Sequence, residues 1–435
     1  MIKILIILLT SFLFLACDGG SSSSPETTPA TIPAPVKKSS IPMLGVLVSY
    51  NNQSFASSQD IWSEKLFGTS AHQLNHYYLE VSHGNFEFGR ATESHGFLND
   101  GVASVRLLKN HPNTSIDYPS LFSTNVYPDL TTALVGLDEF VDFSIYDENA
   151  DGYITPDELL LTFIIAGYED AYAGYHVTNG VWAHQYCMYD SANVPTLDGV
   201  TLMGCANDGN FALFGERHYN PKAPSIPVHD ATIGIIAHEL GHSAFHLPDL
   251  YNTANTDSGG IGYFGLMGAG TWTQQNSSEY PGNTPTHFSA WSKYYNNWVT
   301  PKELNGSTTL TETFSAGYDM IKIPINATSY YLLENRNNNG YDKGLYMLDG
   351  VFDGGMAIWK IDETKLTSDY FDANTVNADT ANKGVDLVEA VAGTIDTNAS
   401  GGNENALYYE GNVNSFLTLV DGISARASVM NLNIK

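Results

Sequence analysis

The sequence predicts an α+β fold with a mixed sheet, one long amphipathic helix and a β-rich part towards the C-terminus. Runs rich in apolar and β-branched residues at 43–50, 159–166 and 320–325 are typical of strands. Apolar residues recur at helical spacing over residues 233–244, which indicates a helix with one buried stripe and Asp230 as its N-cap. Hydrophobic residues form 43% of the chain and aromatic residues 12%, enough for a substantial core.

Residues 238–242, His-Glu-Leu-Gly-His, form a metal-binding pattern on that helix. Because His238 and His242 are four residues apart, both imidazoles lie on one face and can reach one zinc ion at roughly 2.0–2.1 Å. Glu239 is placed to act as general base on a water molecule that the metal activates. The alternative is a chance match on a surface helix, which the buried stripe beside the motif disfavours.

A catalytic zinc site needs a third protein ligand, and the chain offers His246 and Asp249. On a straight helix His246 would lie about 12 Å along the axis from His238, since the rise is about 1.5 Å per residue. One ion cannot bind both, so we expect the chain to turn after His242. Pro248 also predicts that regular helix has ended by then. The turn favours Asp249 as the third ligand, with His246 as the alternative.

A second metal site is predicted at residues 147–158, whose residue types match the 12-residue calcium loop. Gly152 supplies the sharp turn at the sixth position. The run at 159–166 predicts a strand where an EF-hand has its second helix, so we expect one isolated structural calcium ion after a helix near 130–143. An acidic solvated turn is the alternative. The calcium ligands that the spacing predicts are Asp147, Asn149, Asp151, the carbonyl of Tyr153, and Glu158.

The N-terminus has the pattern of a secretory signal peptide. A short basic region at Lys3 precedes an apolar run that is too short to span a membrane, which takes about 20 residues. Phe-Leu-Ala-Cys at 14–17 looks like a bacterial lipoprotein cleavage site, at which Cys17 would be acylated and would anchor the protein to the bacterial membrane. The alternative is a secreted protein cut after Ala16. Either outcome predicts a location in the cell envelope or outside the cell.

The two remaining cysteines, Cys187 and Cys205, are an even pair in a compartment that permits disulfides. A bridge between them closes a loop of about 19 residues and stabilises the fold by roughly 3 kcal/mol in the chain-entropy account. Two buried free thiols are the alternative.

Charge narrows the range of partners. The chain has 19 Lys and Arg against 47 Asp and Glu, a net charge of −28, and its basic residues form no cluster of the kind that binds nucleic acid. We therefore exclude nucleic acid as a partner. The acidity suits solubility and cation binding outside the cell.

Several motifs resemble those of the immune inhibitor A-type metallopeptidases, relatives of the metzincins. His-Glu-Leu-Gly-His followed by Leu-Pro-Asp-Leu-Tyr at 247–251 is similar to the family's zinc signature, and Gly-Leu-Met-Gly at 265–268 is similar to the methionine turn of metzincins. The resemblance covers about residues 44–365. His246 stands where the family usually has Gly, and Lys360 where relatives commonly have His. Further similar stretches are 70–88, 181–184, 287–301, 331–336 and 355–362.

The resemblance implies a metzincin-like zinc protease core, with a mixed sheet, an active-site helix and a methionine turn. The domain organisation that follows has four parts. Residues 1–16 are the signal peptide and 17–40, rich in Ser, Pro and Thr, are a lipoprotein tether. The rest is longer than one core usually supports. We divide it into a zinc metallopeptidase domain at 41–300 and a β-rich C-terminal region at 301–435 that packs on it.

The expected function is a zinc-dependent endopeptidase that acts on protein or peptide substrates, with Glu239 as general base. His184 or Tyr263 could stabilise the oxyanion, although each is equally well interpreted as a packing residue. The alternative is a non-catalytic, metal-stabilised envelope lipoprotein that serves as an adhesin or binding module. His246 and Lys360 favour that alternative, whereas the retained base Glu239 argues against it.

Overall fold

The computed structural model describes residues 38–113, 125–173, 177–190, 192–254, 259–348, 350–396, 401–414 and 418–435. The predicted signal peptide and Cys17 lie outside these ranges, so the lipoprotein anchor stays a prediction. Across the described ranges, the helices are all too short or too polar to cross a bilayer.

The chain forms two compact units, neither of them continuous in sequence. The first, here the parallel-sheet unit, runs from the first described residues to His246 and includes residues 277–285. The second, the antiparallel-sheet unit, comprises residues 247–276 and 286–435.

The helices of the described chain are short, and the longest carries the predicted metal motif. They are α1 (Gln59–Phe67), α2 (Leu74–Val81), α3 (Tyr127–Leu137), α4 (Asp170–Ala173), α5 (Ile233–Phe245), α6 (Ala290–Tyr295) and α7 (Ser368–Asp372).

The strands divide between the two units. Those of the parallel-sheet unit are β1 (Ser40–Ser49), β2 (Glu87–Arg90), β3 (Val102–Arg106), β4 (Leu160–Glu169), β5 (Gly180–Val181), β6 (His184–Tyr186), β7 (Thr196–Leu197), β8 (Val200–Thr201), β9 (Phe211–His218) and β10 (His229–Asp230). Those of the antiparallel-sheet unit are β11 (Gly306–Thr311), β12 (Ile321–Pro324), β13 (Ser329–Arg336), β14 (Gly355–Asp362), β15 (Val385–Leu387), β16 (Val420–Asp421) and β17 (Val429–Ile434).

The parallel-sheet unit is built on a mixed sheet of strand order β10–β9–β4–β1–β2, with β3 also on β1, β5 on β4 and β6 on β9. Strands β1, β4 and β9 run parallel, and Phe163 of β4 lies between Val46 and Leu213 in register. Strands β6 and β10 are antiparallel to β9. Nearly all of β4 is buried, as expected for a central parallel strand covered on both faces. The predicted strand at 159–166 and the mixed α+β class are confirmed.

Helix α3 covers part of this sheet and anchors the core of the unit. Its Leu130, Leu134 and Leu137 are fully buried and share one apolar cluster with residues of β1, β4 and β9. The helix predicted near 130–143 ends earlier, at Leu137, and a separate 3-10 turn follows at Phe143–Tyr146.

The antiparallel-sheet unit is β-rich. A four-stranded sheet of order β12–β13–β14–β15 and a three-stranded sheet of order β11–β17–β16 are antiparallel throughout. They share an apolar core that includes Leu310, Ile321, Leu333, Ile358 and Leu432. The predicted strand at 320–325 corresponds to β12.

Candidate metal centre

Helix α5 begins two residues later than its predicted cap implies. Asp230 belongs to β10, where it pairs with Arg217 of β9, and its carboxylate accepts a hydrogen bond from Ser57 Oγ at 2.5 Å. Thr232 is the N-cap, and its hydroxyl donates to the carbonyl of Pro281 at 2.9 Å. The prediction of Asp230 as N-cap was wrong because strand pairing engages that residue.

The helix is fixed in the core along its whole length. Every residue of α5 except His242 is buried. The hydroxyl of Tyr78 donates to the carbonyl of Ala237 at 2.9 Å, and Ser243 Oγ donates to Asn210 Oδ1 at 2.5 Å. Phe245 packs into an aromatic cluster with Tyr78, Phe86 and Phe88. A helix held in this way presents its metal-binding side chains with little freedom.

The two histidine rings converge on one point. His238 Nε2 and His242 Nε2 lie 3.2 Å apart, and their ring planes are nearly perpendicular, at 87°. A tetrahedral ion with ligand bonds of roughly 2.0–2.1 Å holds two nitrogens about 3.3 Å apart. The observed spacing therefore fits one edge of a zinc coordination tetrahedron.

Asp249 lies close to both histidines. The ligand atoms of His238, His242 and Asp249 are all within 4.8 Å of one another. Among the described residues, these three side chains are close enough together for one ion to bind all of them. His238 and Asp249 are buried and His242 is partly exposed. Two imidazoles and a carboxylate suit zinc and leave a fourth position for water.

A left-handed residue ends α5 and turns the chain towards Asp249. His246 is the C-cap, with φ 52° and ψ 29°, and its N–H donates to the carbonyl of His242 at 3.0 Å. Its side chain is exposed. This is the conformation that a glycine adopts without cost and other residues adopt at about 1–2 kcal/mol. The predicted turn after His242 is therefore present, and it places Asp249 next to the histidines and His246 outside the group.

The tetrapeptide at 265–268 forms a hydrogen-bonded turn, in which the N–H of Gly268 donates to the carbonyl of Gly265 at 2.9 Å. Met267 is buried, and its carbonyl accepts the N–H of Leu250 at 2.7 Å. The turn is thus tied to the residue that follows Asp249. Its role as the floor of a metal site stays a prediction.

Sequence reasoning missed a fully buried ion network that holds the chain before this turn. Arg336 donates to both carboxylate oxygens of Asp342, at 2.7 and 2.5 Å, and to the carbonyl of Phe264 at 2.6 Å. Lys293 pairs with Glu334 at 3.0 Å, and all four charged side chains are fully buried. Burial alone would raise the pKa of Asp342, but the Arg336 guanidinium and the other positive charges around it together outweigh burial and hold that pKa well below its usual range. The resemblance of residues 331–336 to the family was the one signal in the sequence.

The geometry of His184 favours the packing interpretation of that residue. Its Nδ1 lies 2.7 Å from the carbonyl of Trp182 and its Nε2 lies 3.3 Å from the hydroxyl of Tyr127. Desolvation lowers its pKa to about 4, so the ring is neutral at neutral pH. A neutral ring that donates from Nδ1 to a carbonyl has no proton on Nε2 to offer an oxyanion.

Tyr263 packs tightly against a glycine of its own unit. Its N–H donates to the carbonyl of Gly401 at 2.8 Å, and a Cβ at Gly401 would collide with its ring. Burial raises the pKa of the phenol, which keeps it protonated. Its role in catalysis stays a prediction.

In the acidic loop at 147–158, carboxylate side chains accept hydrogen bonds from backbone N–H groups of the same loop. Gly152 has φ 83°, the left-handed turn expected at the sixth position. Asp147 accepts the N–H groups of Asp151 and Gly152, both at 3.0 Å. Asp151 accepts the N–H of Tyr153 at 2.9 Å, and Glu158 accepts that of Glu148 at 3.1 Å. The loop lies between helical turns and the strand β4, as predicted, and calcium binding stays a prediction.

Cys187 and Cys205 form a disulfide, with their Cα atoms 4.9 Å apart. The adjacent backbone also pairs, since Met188 N–H donates to Met203 at 2.7 Å and Cys205 N–H donates to Met188 at 3.1 Å. The predicted bridge is confirmed, and the free-thiol alternative is wrong.

Comparison with known proteins points to one family. Residues 65–302, more than half of the 435-residue chain, match the model of the immune inhibitor A peptidase M6 catalytic domain. Pre-pro-metalloprotease PrtV from two strains of Vibrio cholerae serotype O1 is 29% identical over 173 residues, which cover 37% of this chain and 17% of the relative. Immune inhibitor A from Bacillus thuringiensis subsp. alesti is 30% identical over 164 residues, 37% of this chain and 22% of the relative.

This chain spans about a fifth of the length of these curated relatives. The matched region includes α5 with its paired histidines, together with Asp249 and the turn at 265–268. On the strength of that match, the chain belongs to the immune inhibitor A peptidase family, M6.

Proposed function

We propose that this protein is a zinc-dependent endopeptidase that hydrolyses peptide bonds of extracellular proteins. The observation that carries the proposal is the convergence of His238 Nε2 and His242 Nε2, 3.2 Å apart, with Asp249 beside them. Family membership supports it, as do the names of the relatives, two of which are metalloproteases.

His238, His242 and Asp249 are the residues that would hold the ion. A zinc ion there would supply Lewis acidity, which would lower the pKa of a water molecule and polarise the carbonyl of the scissile bond. Glu239 follows His238 on the same buried helix, with 6% of its surface exposed. Its carboxylate takes the proton of the attacking water and later returns it to the nitrogen of the leaving amine. The rigid attachment of α5 keeps the base and the two histidines in fixed relation.

Casein digestion with and without 1,10-phenanthroline tests this function. We expect digestion by the purified protein, its loss in the chelator, and its return when zinc is added back. An adhesin or binding module, the non-catalytic alternative, would leave casein intact under all three conditions. The comparisons do not favour that alternative, since the matching family model is that of a peptidase catalytic domain and the PrtV relatives are metalloproteases by name.

We also propose that the loop at 147–158 binds one structural calcium ion through Asp147, Asn149, Asp151, the carbonyl of Tyr153, and Glu158. The support is the match of residue types to the calcium loop and the left-handed Gly152 at its sixth position. The loop is tied to the rest of its unit, because Ile154 N–H donates to Thr201 at 2.9 Å. A bound ion would therefore stabilise the segment that leads into β4.

For location, we propose that the protein lies in the bacterial cell envelope, anchored through an acylated Cys17, or is secreted. The disulfide supports a compartment outside the cytoplasm. Incorporation of labelled palmitate into the wild-type protein but not into Cys17→Ala would support the anchor. A signal peptide cut after Ala16 without labelling would leave the secreted form.

A further inference from the structure

The carboxylate of Asp249 is held by a side chain 125 residues away in sequence. Asn374 Nδ2 donates to Asp249 Oδ2 at 2.6 Å, and the backbone N–H of Asp249 donates to Asn374 Oδ1 at 3.0 Å. The hydroxyl of Thr253 donates to the backbone carbonyl of Asn374 at 2.8 Å. One asparagine thus makes three hydrogen bonds to the five residues that begin with Asp249.

The end of α7 fixes the orientation of this asparagine. Asn374 lies just beyond the helix in the left-handed conformation, with φ 51°, which Asn adopts more readily than most residues. Its N–H donates to the carbonyl of Phe371 at 2.9 Å, and the next N–H, of Thr375, donates to Tyr370 at 2.9 Å. The backbone that carries the Asn374 side chain is therefore held in place by hydrogen bonds.

A neighbouring asparagine holds the same segment by its backbone. Asn377 Nδ2 donates to the carbonyl of Leu250 at 2.9 Å and to that of Val385 at 2.8 Å, and its Oδ1 accepts the N–H of Val385 at 3.1 Å. These bonds do not involve the Asp249 carboxylate. The two asparagines therefore make different contacts. Asn374 holds the carboxylate of Asp249, whereas Asn377 holds the backbone of the next residue.

We propose that Asn374 is a positioning residue for the third metal ligand. Its amide donates to one carboxylate oxygen, a charge-assisted bond, and so directs the other oxygen towards the two histidines. The reciprocal bond to the backbone of Asp249 fixes the rotation of the carboxylate relative to the chain. The inference rests on the proposed role of Asp249 as a zinc ligand.

The chemistry requires a neutral donor at this position. An aspartate at residue 374 would keep an acceptor for the backbone N–H of Asp249 but would place a second carboxylate against its side chain. Two like charges at hydrogen-bond distance repel, so the ligand would rotate or bind a proton. Asn374→Asp should therefore impair metal binding even though its size and its backbone contact are retained.

The test measures zinc dissociation constants of the full chain by competition with a chromophoric chelator. The variants are Asn374→Ala, Asn374→Asp and the matched control Asn377→Ala. Urea unfolding of the metal-free protein reports the cost to the fold. We expect both alanine variants to lower stability, but only the two variants at Asn374 to weaken zinc binding, by about 10–100-fold.

A spectroscopic readout distinguishes positioning from general loosening. With cobalt in place of zinc, we expect a changed visible absorption spectrum in Asn374→Ala and Asn374→Asp and the wild-type spectrum in Asn377→Ala. Wild-type zinc affinity in both Asn374 variants, or an equal loss in Asn377→Ala, would overturn the inference. Asp249→Ala separates the two proposals. If it binds zinc like the wild type, the ligand set is wrong, whereas its failure to bind zinc beside an unaffected Asn374→Ala removes only the role of Asn374.

Discussion

His246 shows how one backbone conformation sets the geometry of the site. Its left-handed φ of 52° stops α5 after Phe245 and turns the chain so that Asp249, three residues later, reaches the histidines. The side chain itself is exposed, so this position contributes through its backbone. A glycine here would adopt the conformation without steric cost.

Because the strain is in the backbone, His246→Gly should raise thermal stability. We expect a gain of up to about 1 kcal/mol, since relief of the left-handed conformation exceeds the greater freedom of Gly in the unfolded chain. His246→Val, which is β-branched, should destabilise the protein. Differential scanning calorimetry of the three metal-free proteins measures both changes. A lower melting temperature for His246→Gly would show that the imidazole makes stabilising contacts.

At the scale of single elements, the acidic loop and β4 form one connected segment. The loop places Asp147, Asp151 and Glu158 around a turn, and it is pinned at Ile154 and Gly152 to the edge strand β8. Strand β4, two residues beyond Glu158, lies in the centre of the mixed sheet between β1 and β9. An ion in the loop would offset the mutual repulsion of its carboxylates and so stabilise the entry to the central strand.

Removal of calcium should therefore lower the melting temperature of the wild-type protein. We expect a fall in millimolar EGTA that excess calcium reverses and that Glu158→Gln abolishes, because the last position supplies the bidentate ligand. Asp138→Asn, which changes an exposed carboxylate outside the loop, is the matched control and should respond like the wild type. Identical melting curves with and without EGTA would contradict the calcium proposal.

At the scale of the whole molecule, buried neutral histidines make stability depend on pH. Burial lowers the pKa of His111 to about 4. Burial also holds the pKa of His218 well below its ordinary value. Both bind a proton in the unfolded chain at about pH 6.5. Stability is therefore full above pH 6.5 and falls as the pH decreases towards 4, because the unfolded state then binds more protons.

His111→Gln should reduce this dependence. The variant keeps an acceptor for the N–H of Asn113, which bonds His111 Nδ1 at 2.9 Å, but has no group that titrates. Urea unfolding at pH 7.5 and pH 5.0 in EDTA measures the effect without a contribution from metal ligands. We expect a smaller loss of unfolding free energy at pH 5.0 in the variant. An equal loss in both proteins would show that His111 is already protonated in the folded state.

Local sequence signals predicted those features that depend on neighbouring residues. Helical spacing located α5, the apolar run located β4, and an even pair of cysteines predicted the disulfide. The cap at Asp230 failed because β10 pairs with β9, a contact that periodicity does not encode. Asn374 was missed for a similar reason, since its bond to Asp249 joins residues far apart in the chain. Arg336 was visible through resemblance alone, because a buried charge network has no local pattern.

The most direct test of zinc-dependent hydrolysis with Glu239 as general base is the rate at which Glu239→Gln cleaves peptide bonds, with the zinc content determined in the same sample. The substitution keeps the size of the side chain but removes the group that accepts the proton. We predict one zinc ion per molecule, an unchanged fold, and a rate of casein hydrolysis that is lower by about 10²–10⁴-fold. Wild-type activity in this variant would contradict the role of Glu239, and an active wild-type enzyme without zinc would contradict the metal centre.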